Sequence, residues 1–240
     1  MAIITQGGRM PAGADLFSIP FDVPPYRLSG AVYGTLLNHR TALGALGEAA
    51  HQPPYHAPPV APVLYIKPRN TLALPGDVVR IPVGTLELEV GACVGLVIGR
   101  TACRVAESRA LEHVAGFLIV ADVSIPHASL HRPSIRFKAR DGFCPLGPAV
   151  TPRAAGVDPD ALWVRTYVDG VLVHSASTAE LIRPAKALLA EVTEFMTLSP
   201  GDVLALGAAG PAPRVRSGQT VTIEIDGLGS LSNPYREAAA

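Results

Sequence analysis

The sequence predicts an α+β fold, in which a β-rich mixed sandwich or roll carries a few peripheral helices. Three observations predict it. Short apolar runs bounded by glycine and proline recur along the chain, only two or three segments have helical spacing, and strands do not alternate with helices as they would around a parallel sheet. No G-x-G-x-x-G loop is present, so a dinucleotide-binding fold is not expected.

The predicted strands are apolar runs, rich in β-branched residues, between turn signals. They cover Ala31–Leu37, Val63–Lys67, Val78–Pro82, Val94–Ile98, Phe117–Val123, Leu162–Val168, Val171–His174, Val203–Leu206 and Val221–Asp226. Asp169-Gly170 favours a type I′ turn, which predicts that the strands on either side of it form a hairpin. Turns through Gly227 and Gly229 are expected after the last of these strands.

Helical spacing is found in three places. Thr41–Ala50 predicts a weak helix, and Glu107–Ala115 predicts another that stops at Gly116. Ser177-Thr-Ala-Glu180 matches a capping box and opens a helical region that is interrupted at Pro184, where a second helix can begin. The apolar face of that region consists of Leu188, Leu189, Val192, Phe195 and Met196.

The chain divides into two parts of unequal character. Residues 1–30 are rich in glycine and proline without periodicity and are predicted to form an extended N-terminal arm. Residues 31–240 hold all the predicted strands and helices and are expected to form one domain. Five prolines between Gln52 and Pro62 predict a loop within it.

Composition excludes several classes of protein. The 240 residues contain 20 basic and 20 acidic side chains and no basic stripe, so nucleic acid is not expected as a partner. The most apolar run, Val90–Ile98, is far shorter than the roughly 20 residues that span a bilayer, and the N-terminus lacks the pattern of a signal peptide. Three cysteines without a C-x-x-C pair fit a reduced compartment. These features predict a soluble, cytoplasmic protein.

Several short motifs together resemble the fumarylacetoacetate hydrolase superfamily. They are Tyr65-Ile-Lys67-Pro-Arg-Asn-Thr71, Val97-Ile-Gly-Arg100, Val114-Ala-Gly-Phe117, Ala121-Asp-Val-Ser124, Lys138-Ala-Arg-Asp-Gly-Phe-Cys-Pro-Leu-Gly147, Glu194-Phe-Met-Thr-Leu-Ser-Pro-Gly-Asp202 and Ile225-Asp-Gly-Leu-Gly-Ser-Leu231. They follow the family's order from about residue 30 to the C-terminus. The resemblance implies the family's β-rich sandwich or roll for residues 31–240.

Within the family, Leu37-Asn-His-Arg40, Pro53-Pro-Tyr55 and the Tyr65–Thr71 motif are similar to one branch. That branch is the N-terminal repeat of the bifunctional 5-oxopent-3-ene-1,2,5-tricarboxylate decarboxylase and 2-hydroxyhepta-2,4-diene-1,7-dioate isomerase. The resemblance implies a subunit of this carbon-carbon lyase and isomerase in the degradation of 4-hydroxyphenylacetate through homoprotocatechuate. The substrate would be a small acidic 2-oxo dicarboxylate or tricarboxylate.

The resemblance also implies a divalent cation, Mg²⁺ or Mn²⁺. Decarboxylation beside a conjugated 2-oxo acid leaves an electron pair, which a cation chelated by the substrate can stabilise. The family holds this cation with a Glu-x-Glu pair and a later Asp, near a Lys. The two Glu positions here are Gly91 and Cys93, whereas the Asp position is Asp122 and the Lys position is Lys138. One carboxylate of three is retained, so the metal site is expected to be degraded.

Three other sets of candidate metal ligands, five residues in all, have simpler explanations. Glu87 and Glu89 form a Glu-x-Glu pair, but they lie four residues upstream, about 13 Å along a strand, and a solvated strand explains them. His127 and His131 have the spacing of a zinc pair without its usual sequence context. Cys93 could favour a softer metal as thiolate, although a buried free cysteine usually belongs to the core.

The remaining candidates concern the substrate. Lys138 and Asp122 are the candidate catalytic residues, and Lys67, Arg140, His39 and Arg40 are candidate contacts for substrate carboxylates. Each of these can instead belong to an ordinary solvated cluster, turn or cap. The family's acid–base His and Glu on a lid correspond to Ala42 and Ala45, which cannot carry a proton, and its Gly-Thr-Pro segment reads Gly207-Ala-Ala209.

Three functions therefore stay open. The chain is the decarboxylase and isomerase component itself, or a non-catalytic partner that supports a metal-bearing paralogue, or a member of another branch that binds an acidic metabolite. The family implies assembly, as a homo-oligomer or with a paralogous subunit.

Overall fold

A computed structural model describes residue 28, residues 31–127, residue 130 and residues 134–238. The predicted N-terminal arm lies outside the described residues apart from Leu28, and so does His131. Among the residues described, no helix is long and apolar enough to cross a membrane.

The structure is dominated by strands. They are β1 (Val32–Leu36), β2 (Val63–Lys67), β3 (Leu72–Ala73), β4 (Val79–Ile81), β5 (Leu88–Ile98), β6 (Val114–Ser124), β7 (Cys144–Pro152), β8 (Trp163–Val168), β9 (Val171–Ser177), β10 (Val203–Ala205), β11 (Arg214–Val215), β12 (Thr220–Ile225) and β13 (Gly229–Glu237). The α-helices are α1 (Arg40–Gly44), α2 (Ile135–Lys138) and α3 (Ala185–Phe195). Short 3-10 helices cover Gly47–His51, Arg69–Thr71, Glu107–His113, Arg153–Ala155 and Thr178–Glu180.

Within the part of the chain that the structure describes, the larger sheet has eight strands and curls into a roll. Its main order is β2-β1-β10-β5-β6-β7-β3, with β11 added to β5. The two end strands, β2 and β3, are separated in sequence only by residues 68–71, so the sheet must bend round to bring its ends together. Its inner face carries one apolar cluster, which includes Val32, Val97, Leu118, Val120, Leu146 and Val203.

The outer face of the roll packs on a second sheet, whose strand order is β4-β13-β12-β8-β9. A second and larger apolar cluster fills this interface and joins residues of both sheets, such as Val90, Leu96, Ile119, Val164 and Ile223. Because successive side chains of a strand point to opposite faces, β5 and β6 supply alternate residues to the two clusters. The predicted α+β class with few helices is confirmed.

The β8–β9 hairpin forms as predicted. Asp169 and Gly170 have φ values of 51° and 81°, as a type I′ turn requires. The central strands β5 and β6 are longer than predicted, with eleven residues each. Glycines interrupt the apolar pattern of β5, which explains why the predicted strand was too short. At Gly95 a Cβ would come within 2.7 Å of Val120 Cγ2, so close packing explains why this position has no side chain.

Several local predictions are wrong. Glu107–Ala115 is not an α-helix, since a 3-10 helix ends at His113 and β6 starts at Val114. The capping box supplies one 3-10 turn, in which Ser177 Oγ accepts from the Ala179 amide, and the helix proper begins after Pro184. Phe195 is 65% exposed instead of buried. Strands β7 and β13 were not predicted, because prolines and glycines interrupt both.

Candidate functional site

The motif residues of β5, β6 and β7 meet on the inner face of the roll. Gly91 lies directly opposite Asp122, and Cys93 lies opposite Val120, one step along the same face. At the start of β7, Cys144 is paired with Leu72 of β3. The sheet register thus places the two positions of the expected Glu-x-Glu pair beside Asp122, although neither residue there is acidic.

Asp122 is the centre of a buried ion cluster with two lysines. Its Oδ2 lies 2.6 Å from the Nζ of Lys138, and its Oδ1 lies 3.0 Å from the Nζ of Lys67. All three residues are less than 10% exposed. We call Lys67, Asp122 and Lys138 the ion cluster. With both amines protonated it carries one net positive charge.

Backbone carbonyls fix the ammonium group of Lys67. It donates to the carbonyl oxygens of Val123, Lys138 and Phe143, which accounts for all three of its hydrogens. Its contact with Asp122 is therefore an ion pair and not an additional hydrogen bond. Lys67 ends β2, an edge strand, so this inward charge is also a feature that discourages pairing with another sheet.

Tyr65 covers the ion cluster. The Nζ of Lys138 lies 4.6 Å from the centre of its ring. The ring lies against Gly34, where a Cβ would come within 2.0 Å of Tyr65 Cζ. Sequence analysis missed Tyr65, although the two-residue spacing from Lys67 on one strand is a signal that both face the same way.

The cluster shifts the pKa of its members. Burial alone would raise the pKa of Asp122, but Lys138 and Lys67 outweigh it and hold this pKa well below its usual range. Burial lowers the pKa of Lys67, an effect that Asp122 opposes. Burial raises the pKa of Tyr65, and the negative charge of Asp122 raises it further.

The depressed pKa of Asp122 makes stability depend on pH. The unfolded chain binds more protons than the folded chain in acid, so this contribution is present above about pH 4 and is lost as the pH falls further. We expect the difference in free energy of unfolding between the native chain and Asp122→Asn to shrink between about pH 5 and pH 3. Urea unfolding at a series of pH values measures it, and a difference that stays constant would contradict the assignment.

The residues present do not fit a divalent metal ion. Hard cations need several oxygen ligands, and both oxygens of Asp122 already face ammonium groups. Gly91 offers no side chain, and a Cβ there would lie 2.9 Å from the Cβ of Ala208. Burial, followed by the charge of Asp122, raises the pKa of Cys93 to about 12, so its thiol stays protonated. No group of three or more His, Cys, Asp or Glu among the described residues is arranged to hold a metal.

The alternative carboxylates are engaged elsewhere. Arg214 Nη1 lies 2.6 Å from Glu87 Oε1, and Arg214 Nη2 lies 3.2 Å from Glu89 Oε1. Hydrogen bonding to Arg214 lowers the pKa of Glu87. These pairs join β11 to the start of β5 at an exposed surface, as the solvated-strand interpretation expects. His127 stacks on Phe137 at 4.8 Å and donates from Nδ1 to the carbonyl of Ile125.

The other candidate residues are not members of the ion cluster. His39 is buried and caps α1, since its Nδ1 accepts from the Thr41 amide while its Nε2 donates to the carbonyl of Ser177. Arg40 is exposed at the start of α1, and Arg140 is half-buried two residues after Lys138. A narrow cleft borders His39, His174, Cys93 and Gly207. Its described lining contains neither a carboxylate nor a lysine.

Small residues close the space around this cleft. At Gly210 a Cβ would lie 3.0 Å from the Cα of Ala42, and the Gly210 amide donates to Thr41 Oγ1. Asn38, which sequence analysis did not single out as a site residue, holds this region together. Its side chain donates to the carbonyls of Arg183 and Leu206 and accepts from the Arg183 amide. These hydrogen bonds fix the segment that leads into α1 against the neighbouring backbone.

The three cysteines are expected to differ in reactivity. Cys93 and Cys144 are buried, and burial raises the pKa of each to about 12, whereas Cys103 is exposed. Because the thiolate is the reactive form, we expect the native chain to consume one equivalent of a thiol reagent such as DTNB, and the urea-unfolded chain to consume three. Rapid loss of two or three native thiols would contradict the burial of the site.

Residues 31–236 match the family model described as "Fumarylacetoacetate (FAA) hydrolase C-terminal". The chain belongs to this family. It is 42% identical over 207 residues to the 4-hydroxyphenylacetate degradation bifunctional isomerase/decarboxylase of Salmonella dublin, across 86% of this chain and 47% of that protein. The chain thus spans about half the length of the curated relatives it matches.

Two solved structures share the fold of this family member. The 5-carboxymethyl-2-hydroxymuconate delta-isomerase of Mycobacterium smegmatis superposes with a TM-score of 0.77 at 28% identity, over 90% of this chain and 82% of that one. Fumarylpyruvate hydrolase of Pseudomonas aeruginosa, solved with Mn²⁺ and pyruvate, gives 0.79 at 21% identity, over 92% and 95%. The predicted family is confirmed, whereas the catalytic and substrate-binding assignments within this chain stay predictions.

Proposed function

We propose that this chain is a subunit of the isomerase/decarboxylase of 4-hydroxyphenylacetate (homoprotocatechuate) catabolism, and that it works beside a second, metal-bearing domain of the same family. The observation that carries the pathway is the 42% identity to a bifunctional enzyme of this pathway, of which the chain covers 47%. The other half of such a protein then supplies the partner. We also propose that the protein is cytoplasmic, because its three cysteines form no disulfide, as is usual in a reduced compartment.

The donor set favours a partner with its own metal. Decarboxylation and isomerisation of a 2-oxo acid need a sink for an electron pair, which a Mg²⁺ or Mn²⁺ ion supplies when chelated by the substrate. In this chain Asp122 faces two ammonium groups, and Gly91 and Cys93 provide no oxygen ligand. The lining of the described cleft likewise contains neither a lysine nor an arginine that would attract a dicarboxylate or tricarboxylate.

A second candidate function is catalysis by this chain itself. The contact of 2.6 Å between Lys138 and Asp122 favours it, because a carboxylate beside an amine can orient a proton donor. In that case Arg140 and Arg40, which are not part of the ion cluster, are the proposed contacts for substrate carboxylates. Lys67 and His39 are less suited to this role, because backbone groups already occupy their hydrogen-bonding atoms.

Reconstitution distinguishes these functions. The purified chain is assayed with 5-oxopent-3-ene-1,2,5-tricarboxylate and Mn²⁺, alone and with a separately produced metal-bearing paralogue. We expect turnover only in the mixture, and we expect Lys138→Ala in this chain to leave turnover per assembled complex unchanged. Turnover by the isolated chain that Lys138→Ala abolishes would establish the second candidate. No turnover in either case would favour a branch that binds an acidic metabolite.

A further inference from the structure

We propose that Asp122 is the internal counter-ion of two buried ammonium groups and that these groups exclude a divalent cation from this chain. The proposal concerns the isolated subunit and does not depend on the pathway. It assigns the ion cluster a structural role. The ammonium groups of Lys67 and Lys138 lie at the position where a metal-binding relative would hold its ion.

The positions of the charges carry the first step. A cation bound to Asp122 would have to approach oxygens that already lie 2.6 Å from Lys138 Nζ and 3.0 Å from Lys67 Nζ. A divalent cation would add two positive charges beside those of the two ammonium groups. The single negative charge of Asp122 would then have to balance four positive charges. Like charges repel strongly in a site from which water is excluded, because the local dielectric constant is low.

The rigidity of the cluster carries the second step. Lys67 cannot swing aside without breaking three buried hydrogen bonds, those to the carbonyls of Val123, Lys138 and Phe143. Lys138 is 6% exposed, lies over the Tyr65 ring and is held 2.6 Å from Asp122 Oδ2. Ala208 fills the space beside Gly91 where a further ligand would enter. The ammonium groups are therefore permanent parts of the site.

Manganese binding tests the exclusion. Mn²⁺ is titrated with the isolated chain while the electron paramagnetic resonance signal of the free ion is recorded, with the Pseudomonas aeruginosa fumarylpyruvate hydrolase as the positive control. We expect the hydrolase to reduce the free signal and this chain to leave it unchanged. Stoichiometric loss of the signal with this chain, reversed by EDTA and absent in Asp122→Asn, would overturn the proposal. The native chain suffices for the titration, whether or not the variant folds.

A double-mutant cycle tests the counter-ion role. Asp122→Asn leaves two ammonium groups buried without a balancing charge, and we expect it to raise the equilibrium constant of unfolding by about 100-fold or more. Adding Lys138→Met removes one of these charges and is expected to recover at least about tenfold of that loss. Asp226→Asn, which breaks the exposed pair with Arg165, is the matched control and should change little.

One outcome of the double-mutant cycle would contradict the counter-ion role of Asp122. If Lys138→Met destabilised the Asp122→Asn chain further, the two lysines would not be held by the charge of Asp122. Both experiments use the isolated chain without substrate. Their failure would leave the proposed pathway untouched, and failure of the reconstitution would leave the ion cluster untouched.

Discussion

Replacement of Lys67 by methionine is expected to lower the free energy of unfolding by about 3–5 kcal/mol. The substitution keeps most of the side-chain volume but removes an ammonium group that donates to three buried carbonyls and faces Asp122. Each of these carbonyls would lose its hydrogen bond from Lys67, although the carbonyl of Phe143 would keep the Val123 amide as a donor. A buried acceptor left without a partner costs roughly 1–3 kcal/mol. Equilibrium unfolding in urea measures the effect.

Lys186 provides the matched control for this variant. It is exposed on α3, so Lys186→Met removes the same charge without desolvated partners. We expect its effect to stay within about 0.5 kcal/mol. If Lys67→Met were equally mild, Lys67 would be an ordinary surface lysine and the ion cluster would not stabilise the roll.

The second large effect concerns the glycine beneath Tyr65. In Gly34→Ala the new Cβ would lie 2.0 Å from Tyr65 Cζ and 2.4 Å from the Tyr65 hydroxyl oxygen, so the ring must move from its position over Lys138. Overpacking of a rigid ring and loss of its contact with the ammonium group of Lys138 together are expected to cost about 3 kcal/mol in free energy of unfolding. Thermal or urea unfolding measures it.

Two comparisons make this prediction specific. Gly44→Ala in α1 places its Cβ in open space, and we expect a slight stabilisation, because alanine favours a helix over glycine. Tyr65→Leu in the Gly34→Ala chain shortens the obstructing side chain and should recover part of the stability. If Gly34→Ala were as harmless as Gly44→Ala, the ring would not be held against the strand.

Local signals made much of the fold predictable. The β8–β9 hairpin follows from Asp169-Gly170 between two apolar runs, because few other dipeptides adopt two positive φ values so readily. The 107–113 segment shows the opposite case. Its apolar spacing suits an α-helix, but Val114 and Ala115 belong to β6 in the central sheet. The shorter segment that precedes them forms a 3-10 helix.

The sequence predicted that Asp122 and Lys138 belong to the site, but it did not predict all the contacts between the site residues. The alignment of motifs placed Asp122 and Lys138 together, and the sheet register places Gly91 opposite Asp122. The ion pair between Lys67 and Asp122 could not be predicted, because β2 and β6 are four strands apart in the order of the sheet. Only the curl of the whole roll brings these two side chains together.

Anomalous diffraction from crystals of this chain grown with MnCl₂ tests most directly whether the site is an ion cluster. We expect no manganese peak at the Asp122 carboxylate, with the amines of Lys67 and Lys138 still within about 3 Å of its oxygens. An ordered Mn²⁺ ion coordinated by Asp122, with either lysine displaced from the carboxylate, would contradict the central claim.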